Sequence, residues 1–145
     1  MKKIILDTNI LLLPGQFMVD IFTQIEQLMD EPFVLVILQK SLNELNKIAQ
    51  KKTKDAQAAR LALALINAKL AENPTFWEKI IGLTPHKKEK KIQVIKTKEY
   101  VDDAIIKLAD TQTIVATLDS QLKKRLRQKN IKTITLKNKK QLSFV

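Results

Sequence analysis

Short, unbroken apolar runs are the feature that most constrains the fold of this chain. The clearest runs cover residues 4–6 and 33–38, with residues 114–118 apolar except for Thr117, and they are rich in isoleucine, valine and leucine. Continuous rather than alternating apolar residues are typical of strands that are buried on both faces of a parallel sheet. Helix-like segments separate the runs, so the sequence predicts an α/β fold, a three-layer α/β/α sandwich with a central parallel sheet.

Helical spacing of apolar residues indicates crossover helices between these runs. The helical segments predicted in this way are residues 17–29, 53–72, 101–109 and 120–129. Pro14 and Gly15 indicate a break before the first of them. Ser41 followed by Glu44 matches the capping box S-x-x-E, so a further helix is predicted with Ser41 as its N-cap.

The remaining segments are less regular. Residues 76–91 are expected to form a turn or short helix followed by an exposed basic loop, and residues 92–95 a weak strand. Residues 131–136 are predicted to form the last strand. A chain of 145 residues has the usual size of one domain, so a single domain over residues 1–145 is expected.

The composition excludes several classes of site. Cysteine is absent, which excludes disulfides, thiolate zinc sites and cysteine nucleophiles, and the single His86 excludes a pair of histidine ligands on one helix. Gly15 and Gly82 are too far apart for a dinucleotide-binding fingerprint or a glycine-rich phosphate loop. No apolar run approaches the roughly 20 residues that span a bilayer, and no signal peptide is recognisable, so a cytoplasmic protein is expected.

The distribution of positive charge favours a polyanionic partner. The formal net charge is +11, and Asp119 is the last acid in the chain. An acid-free basic end on so basic a chain indicates nucleic acid binding. The residues predicted to contact nucleic acid form two clusters, Lys123, Lys124, Arg125 and Arg127 near the end of the chain, and Lys87, Lys88, Lys90 and Lys91 in the middle.

Acidic residues follow the predicted strands at one edge of the sheet. Asp7 and Asp119 come directly after buried strands, and Glu44 is expected in the first turn of the helix after the second strand. Asp102 and Asp103 open a helix that begins at the same edge only if the weak strand before it is real and parallel. Most of these acids also have a structural explanation as caps or first-turn acids of helices. Together, on a basic chain, they indicate divalent cation binding by carboxylate oxygens.

Four motifs in this order make the chain resemble the PIN domain family of small metal-dependent ribonucleases. They are Leu6-Asp7-Thr8-Asn9, Glu44 in SLNEL, Asp102 in DDAIIKLA, and Thr117-x-Asp119 in VATLDSQL. The resemblance covers nearly the whole chain and implies a central parallel sheet between helices, with acids that converge on Mg²⁺ or Mn²⁺. It also implies that the helix with Asp102 reaches the shared site.

The resemblance assigns roles to individual residues. The metal ligands it implies are Asp7, Glu44, Asp102 and Asp119, with Thr8, Asn9 and Thr117 orienting ligands or water. Asp102 is preferred to Asp103, which points away from the apolar stripe and is expected to be an outer ligand at most. From Asp102, the three- and seven-residue steps of the family pattern reach Ile105 and Ala109. Gln121 stands where many relatives carry a further acid, which predicts that a second metal is held weakly.

The activity that the resemblance implies is metal-dependent endonucleolytic hydrolysis of RNA phosphodiester bonds. The segments LLLPGQFMVDIF and VATLDSQLKKRLR are most similar to PIN domains of ribosome-biogenesis endonucleases and their archaeal relatives. This branch implies an rRNA precursor or another structured RNA as substrate, and a ribosome-assembly protein as partner. A toxin-type ribonuclease with an antitoxin partner and a catalytically silent RNA-binding scaffold are the alternatives, and the resemblance is compatible with a homodimer.

Overall fold

A six-stranded sheet forms the centre of the protein. The computed structural model describes residues 1–71 and 89–145. Its strands are β1 (Lys2–Leu6), β2 (Phe33–Leu38), β3 (Glu89–Ile95), β4 (Thr113–Ala116), β5 (Lys132–Lys137) and β6 (Gln141–Phe144). They lie in the order β3-β2-β1-β4-β5-β6, and every neighbouring pair is parallel except the antiparallel pair of β5 and β6.

Helices cover both faces of this sheet. In the described residues they are α1 (Thr8–Leu11), α2 (Leu13–Phe17), α3 (Ile21–Leu28), α4 (Gln39–Ala49), α5 (Lys54–Ala71), α6 (Val101–Leu108) and α7 (Ser120–Gln128). None of them is long and apolar enough to cross a membrane.

The two faces of the sheet carry separate hydrophobic cores. Ile4 and Leu35 belong to a core with the buried residues of α1 to α5, whereas Ile5, Val36 and Val115 belong to a core with α6 and α7. Successive residues of a strand point to opposite faces, so strands that are apolar throughout can fill both cores. The predicted three-layer α/β/α architecture is confirmed, and it explains why the strand sequences are unbroken apolar runs.

The order of the strands places a topological switch point at the centre of the sheet. From β1 the chain moves outward on one side through β2 and β3, and it returns to the other side of β1 to form β4 and β5. Ligands of open α/β sheets bind outside the carboxyl ends of the strands at such a reversal. The crevice beyond the carboxyl ends of β1 and β4 is therefore the expected position of a site.

The region after β1 differs from its prediction. Pro14 and Gly15 do not form a break but lie in α2, where proline is tolerated at the start of a helix because no N–H is needed there. The break comes later, at Met18, whose φ of 57° is left-handed and which ends α2. Asp20 then caps α3, and its carboxylate accepts a hydrogen bond from the Thr23 N–H at 3.2 Å.

The start of α4 also differs from its prediction. The helix begins at Gln39 directly after β2, and its N-cap Leu38 offers no side-chain hydrogen bond. Ser41 is therefore not a cap. It lies inside the helix and is fully buried, and its hydroxyl has no hydrogen-bond partner among the described residues. The capping-box pattern was misleading because the strand passes into the helix without a loop.

The edges of the sheet hold two further corrections. The strand predicted at residues 92–95 is confirmed as parallel to β2, but it begins at Glu89, so Lys90 and Lys91 lie on edge strand β3 rather than in a loop. Residues 131–136 are not the last strand, because β6 follows as an antiparallel partner of β5. The turn or short helix predicted from residue 76, with Lys87 and Lys88, lies outside the described residues.

Close packing of α2 on α5 predicts that Gly15→Ala destabilises the protein. A Cβ atom at Gly15 would lie 2.7 Å from Ala58 Cβ and closer still to Ala58 Cα, so the α5 backbone would have to move. Overpacking of this kind reduces the free energy of unfolding by about 1–3 kcal/mol. Urea unfolding measures the change. Gln27→Ala, an exposed change in α3, should remain within about 0.5 kcal/mol of the parent protein, and equal stability of the two variants would contradict the close contact.

Candidate carboxylate site

The carboxylate of Asp7 lies at the switch point, directly after β1. The residue is only 5% exposed, which is unusual for an acid. Its Oδ1 accepts a hydrogen bond from the Thr8 N–H at 2.8 Å, and its Oδ2 accepts one from the Thr117 hydroxyl at 2.6 Å. These two donors orient the carboxylate, but neither carries a positive charge that would compensate its burial.

Two hydrogen-bonded links join the segments that leave β1 and β4. The Thr117 Oγ1 atom donates to Asp7 and accepts a hydrogen bond from the Asp119 N–H at 3.1 Å. Next to it, the Leu118 N–H donates to Asn9 Oδ1 at 3.1 Å. Thr117 is fully buried. It therefore connects the backbone of one acid to the carboxylate of another and fixes the geometry between them.

Asp119 serves as the N-cap of α7. Its Oδ1 accepts hydrogen bonds from the N–H groups of Gln121 at 2.9 Å and Leu122 at 3.1 Å. Asp119 is thus a helix cap, as its structural explanation predicted, but capping uses only one of its two carboxylate oxygens. No hydrogen bond is present at Oδ2 within the described part of the chain, so that oxygen is available to a ligand.

The two neighbouring acids at the start of α6 have different surroundings. Asp103 Oδ1 accepts a hydrogen bond from Arg125 Nη2 at 3.0 Å, so its carboxylate forms a surface ion pair with α7. Asp102 makes no such pair in the described structure. Because β3 is parallel to β2, α6 does begin at the carboxyl edge, as the sequence argument required.

The pKa shifts show that three of the acids act on one another. Burial is the main reason why the pKa of Asp7 is raised above 3.8, and the hydrogen bonds from Thr117 and Thr8 only partly oppose it. Asp102 and Asp119 raise it further by repulsion. The pKa of Asp102 is raised by burial and then by Asp119, with Arg125 opposing. A cluster that resists ionisation in this way is suited to a cation.

Glu44 does not contribute to the pKa shifts of Asp7 and Asp102. It is exposed, and it lies in the second turn of α4 because the helix begins at Gln39, five residues and about 7.5 Å of helix earlier. The acids that act on Asp7 are Asp102 and Asp119. Within residues 1–71 and 89–145, no three acidic side chains stand at a common ligand distance. Asp102 and Asp119 are close enough to raise the pKa of Asp7, but the three carboxylates are too far apart to bind one cation together.

The cluster fits a divalent cation better than it fits a purely structural role. Asp7 is buried without a counter-charge, and two further acids add repulsion instead of relieving it. Beside it, the buried hydroxyl of Thr8 has no hydrogen-bond partner among the described residues. Carboxylate and hydroxyl oxygens are the donors that Mg²⁺ and Mn²⁺ prefer.

The basic residues of α7 lie close to this cluster. Lys124 and Arg127 are exposed, and Arg125 is held by Asp103. Lys123 is half-buried, and its ammonium donates to the Thr135 hydroxyl at 3.3 Å. The side chains of the second predicted cluster lie outside the described structure, although Lys90 and Lys91 stand on an edge strand. The basic cluster of α7 therefore follows the cap Asp119. Two of its four side chains, Lys123 and Arg125, already form hydrogen bonds within the protein.

A second basic surface was missed in the sequence. A groove of about 490 Å³ lies at the turn between α4 and α5. Its lining residues are Gln50, Lys51, Lys52, Thr53, Lys54, Gln57 and Arg60. Since α4 starts at the carboxyl edge of the sheet and runs away from it, this groove is separate from the acids. The signal in the sequence was the run KKTK.

Lys40 is the other residue that the sequence analysis missed. It is the second residue of α4, and its ammonium donates to the carbonyls of Lys98 and Glu99, each at 2.6 Å. The signal was a cation at the start of a helix, where the helix dipole disfavours positive charge.

The raised pKa of Asp7 predicts how Asp7→Asn changes stability with pH. The native state binds the Asp7 proton more tightly than the unfolded state, so ionisation destabilises the fold as pH rises from about 3.8 through the higher native pKa. Asparagine cannot ionise. Relative to the parent protein, Asp7→Asn should therefore gain unfolding free energy as the pH rises from 3.8 through the raised native pKa of Asp7, measured by urea unfolding with a chelator present. Asp30→Asn, the same change at an exposed position, is the control. A difference between parent and Asp7→Asn that is independent of pH would contradict the assignment.

Comparisons with known proteins identify the family. A sequence profile described as PIN like domain matches residues 4–81 and 81–139. Ribonuclease VapC4 of Methanocaldococcus jannaschii is 30% identical over 146 aligned residues, which cover 97% of this chain and 94% of that protein. The match extends over almost the full length of both proteins, so the resemblance drawn from four short motifs is confirmed at the level of the whole chain.

Solved structures show the same fold. The PIN domain endonuclease Utp24 superposes with a TM-score of 0.64 at 20% identity, covering 98% of this chain and 90% of that chain. A domain of a functionally unknown protein from Methanocaldococcus jannaschii superposes with a TM-score of 0.62 at 16% identity, covering 94% and 92% of the two chains. With the sequence match, the switch-point site and the shared fold in agreement, this chain belongs to the PIN-like domain family.

Proposed function

We propose that the protein is a divalent-metal-dependent endoribonuclease formed by a single nuclease domain over residues 1–145. The observation that carries this proposal is the buried carboxylate of Asp7 at the switch point, which has no counter-charge among the described residues and is repelled by Asp102 and Asp119. A relative that is named a ribonuclease and aligns over nearly its whole length supports the choice of RNA as substrate.

The proposed cation is Mg²⁺ or Mn²⁺, held by the clustered acids. Asp7, Asp102 and the free Oδ2 of Asp119 would hold it, with Glu44 approaching from α4 and Asp103 at most in an outer position. When bound, a divalent cation polarises the scissile phosphodiester and stabilises the negative charge that develops during hydrolysis. A bound cation would offset the burial that chiefly raises the pKa of Asp7 and the repulsion from Asp102 and Asp119 that adds to it.

The other polar residues of the site position these groups. Thr117 orients one oxygen of Asp7 and the backbone of Asp119. Asn9 ties the segment after β4 to the segment after β1 through Leu118. The Thr8 hydroxyl, which has no hydrogen-bond partner in the described part of the chain, would orient the attacking water or a ligand. None of these residues needs to ionise, so their contribution to catalysis is geometric.

The basic face of α7 would hold the RNA backbone beside the acids. Lys124 and Arg127 are exposed and can bind phosphates, whereas Arg125 would first exchange Asp103 for a phosphate. Such contacts position a strand without reading its sequence. The edge-strand residues Lys90 and Lys91 and the neighbouring Lys87 and Lys88 are proposed as a second contact region.

We further propose that the enzyme acts in the cytoplasm on structured RNA, in the processing of an rRNA precursor. The fold shared with the endonuclease Utp24 is consistent with this branch but does not distinguish it from a toxin-type ribonuclease. The two roles predict different cellular outcomes. Depletion of a processing enzyme causes unprocessed rRNA to accumulate, whereas expression of a toxin arrests growth until a small protein partner is supplied.

Metal-dependent cleavage is the direct test of the proposed activity. The parent protein should cut a structured RNA in Mn²⁺ or Mg²⁺ and should stop when a chelator is added. Asp7→Asn should lower the cleavage rate by at least about a hundredfold while leaving the circular dichroism spectrum unchanged, because the fold does not need the charge. Asp30→Asn should cleave like the parent.

The same assay separates the alternatives. Cleavage that survives in pure Asp7→Asn would rule out the assigned site. A parent protein that binds RNA but never cleaves it would indicate an RNA-binding scaffold instead.

A further inference from the structure

Lys40 joins two helices that carry acids of the site. Its ammonium lies 2.6 Å from the carbonyl oxygens of both Lys98 and Glu99, and 5.8 Å from the ring centroid of Tyr100. Lys40 itself is in the first turn of α4, the helix that carries Glu44. The three residues it contacts form the end of the loop between β3 and α6.

The position of this lysine is electrostatically unfavourable unless the loop is present. The first turn of a helix exposes N–H groups and carries partial positive charge, which repels a cation. Leu38, the N-cap of α4, offers no side-chain acceptor that would offset the repulsion. The two carbonyl oxygens carry partial negative charge and accept hydrogen bonds from the ammonium, which offsets this repulsion. Lys40 and the loop therefore stabilise each other's position.

The loop in turn sets the position of α6. Tyr100 is the N-cap of that helix but makes no side-chain capping bond, and its carbonyl accepts a hydrogen bond from the Ala104 N–H at 2.8 Å. Asp102 follows only two residues later. The start of α6 is therefore fixed to the rest of the protein through the backbone that Lys40 binds.

An ion pair on the same loop does not have this effect. The Glu99 carboxylate pairs with Lys107 at 2.8 Å, but Lys107 belongs to α6 itself. The pair joins the loop to its own helix and leaves their position relative to α4 unconstrained. Lys107 is also largely exposed, with 73% of its side-chain surface accessible, so it provides a matched control for Lys40.

We propose that Lys40 is a positioning residue that fixes the start of α6, and with it Asp102, beside Asp7 and Asp119, so that the three acids need only a small movement to share a cation. This inference rests on the proposed function. Lys40 does not touch the substrate or the cation, since its ammonium is engaged by backbone carbonyls. Its effect reaches the site through residues 98–102 and through the orientation of α6.

Two substitutions test this role in the full-length protein. Lys40→Met removes the ammonium but keeps most of the side-chain stem, and Lys107→Met removes the α6 lysine that pairs with Glu99 of the loop. In the metal-free protein, amide hydrogen exchange over residues 96–104 should accelerate in Lys40→Met and stay near the parent rate in Lys107→Met. This readout requires neither metal nor activity.

Metal binding gives the second readout. Lys40→Met should bind Mn²⁺ about tenfold more weakly by calorimetry, in the range found when groups that orient metal ligands are removed. Its cleavage rate should fall at low Mn²⁺ and recover at high Mn²⁺, with KM for RNA unchanged. Lys40→Arg, which keeps a cationic donor, should restore most of the affinity.

The outcomes distinguish this inference from the proposed function. If the parent protein binds Mn²⁺ and Lys40→Met binds it equally well, the positioning role is wrong and the proposed function stands. If the parent binds neither Mn²⁺ nor Mg²⁺, the proposed function fails, and the inference fails with it. Weaker binding in Lys107→Met as well would show general loosening of the loop and would also overturn a specific role for Lys40.

Discussion

The hydrogen bond between the Thr117 hydroxyl and the Asp7 carboxylate is the interaction on which the site depends. At 2.6 Å it joins two residues 110 positions apart in the sequence, and both are almost fully buried. It orients a charge that the fold isolates from solvent and does not neutralise. Burial and two neighbouring acids both disfavour ionisation of Asp7. A divalent cation beside the Asp7 carboxylate would stabilise its ionised form.

The topology of the sheet explains why these groups meet. β1 occupies the centre, and the chain leaves it in one direction and returns on the other side. Asp7 and Thr117 therefore come from neighbouring parallel strands and emerge at the same edge. The helix after the edge strand β3 adds Asp102, and the helix after β4 begins at the capping acid Asp119. The site is built from segments that follow strands, so core residues that stabilise the sheet also set the spacing of the acids.

Much of the sheet was predictable from the sequence, because parallel strands that are buried on both faces appear as continuous apolar runs. Phe33–Leu38 was predicted to the residue, and the edge shared by Asp7 and Asp119 followed from the strands alone. β6 was missed because its turn has no glycine. Asn138 and Lys139 adopt left-handed φ values of 55° and 56°, a conformation that an Asn-Gly pair would have indicated. The position of Glu44 was wrong by a helical turn because Ser41 is a buried helix residue and not a cap.

The most direct test of the account is calorimetric titration of Mn²⁺ into the parent protein and Asp7→Asn at neutral pH without RNA. Mn²⁺ should bind to the parent protein, and most of that binding should be lost in Asp7→Asn, although the variant remains folded. Equal binding to both proteins would show that the cation is held elsewhere. That result would contradict the claim that the buried carboxylate at the switch point is the centre of the site.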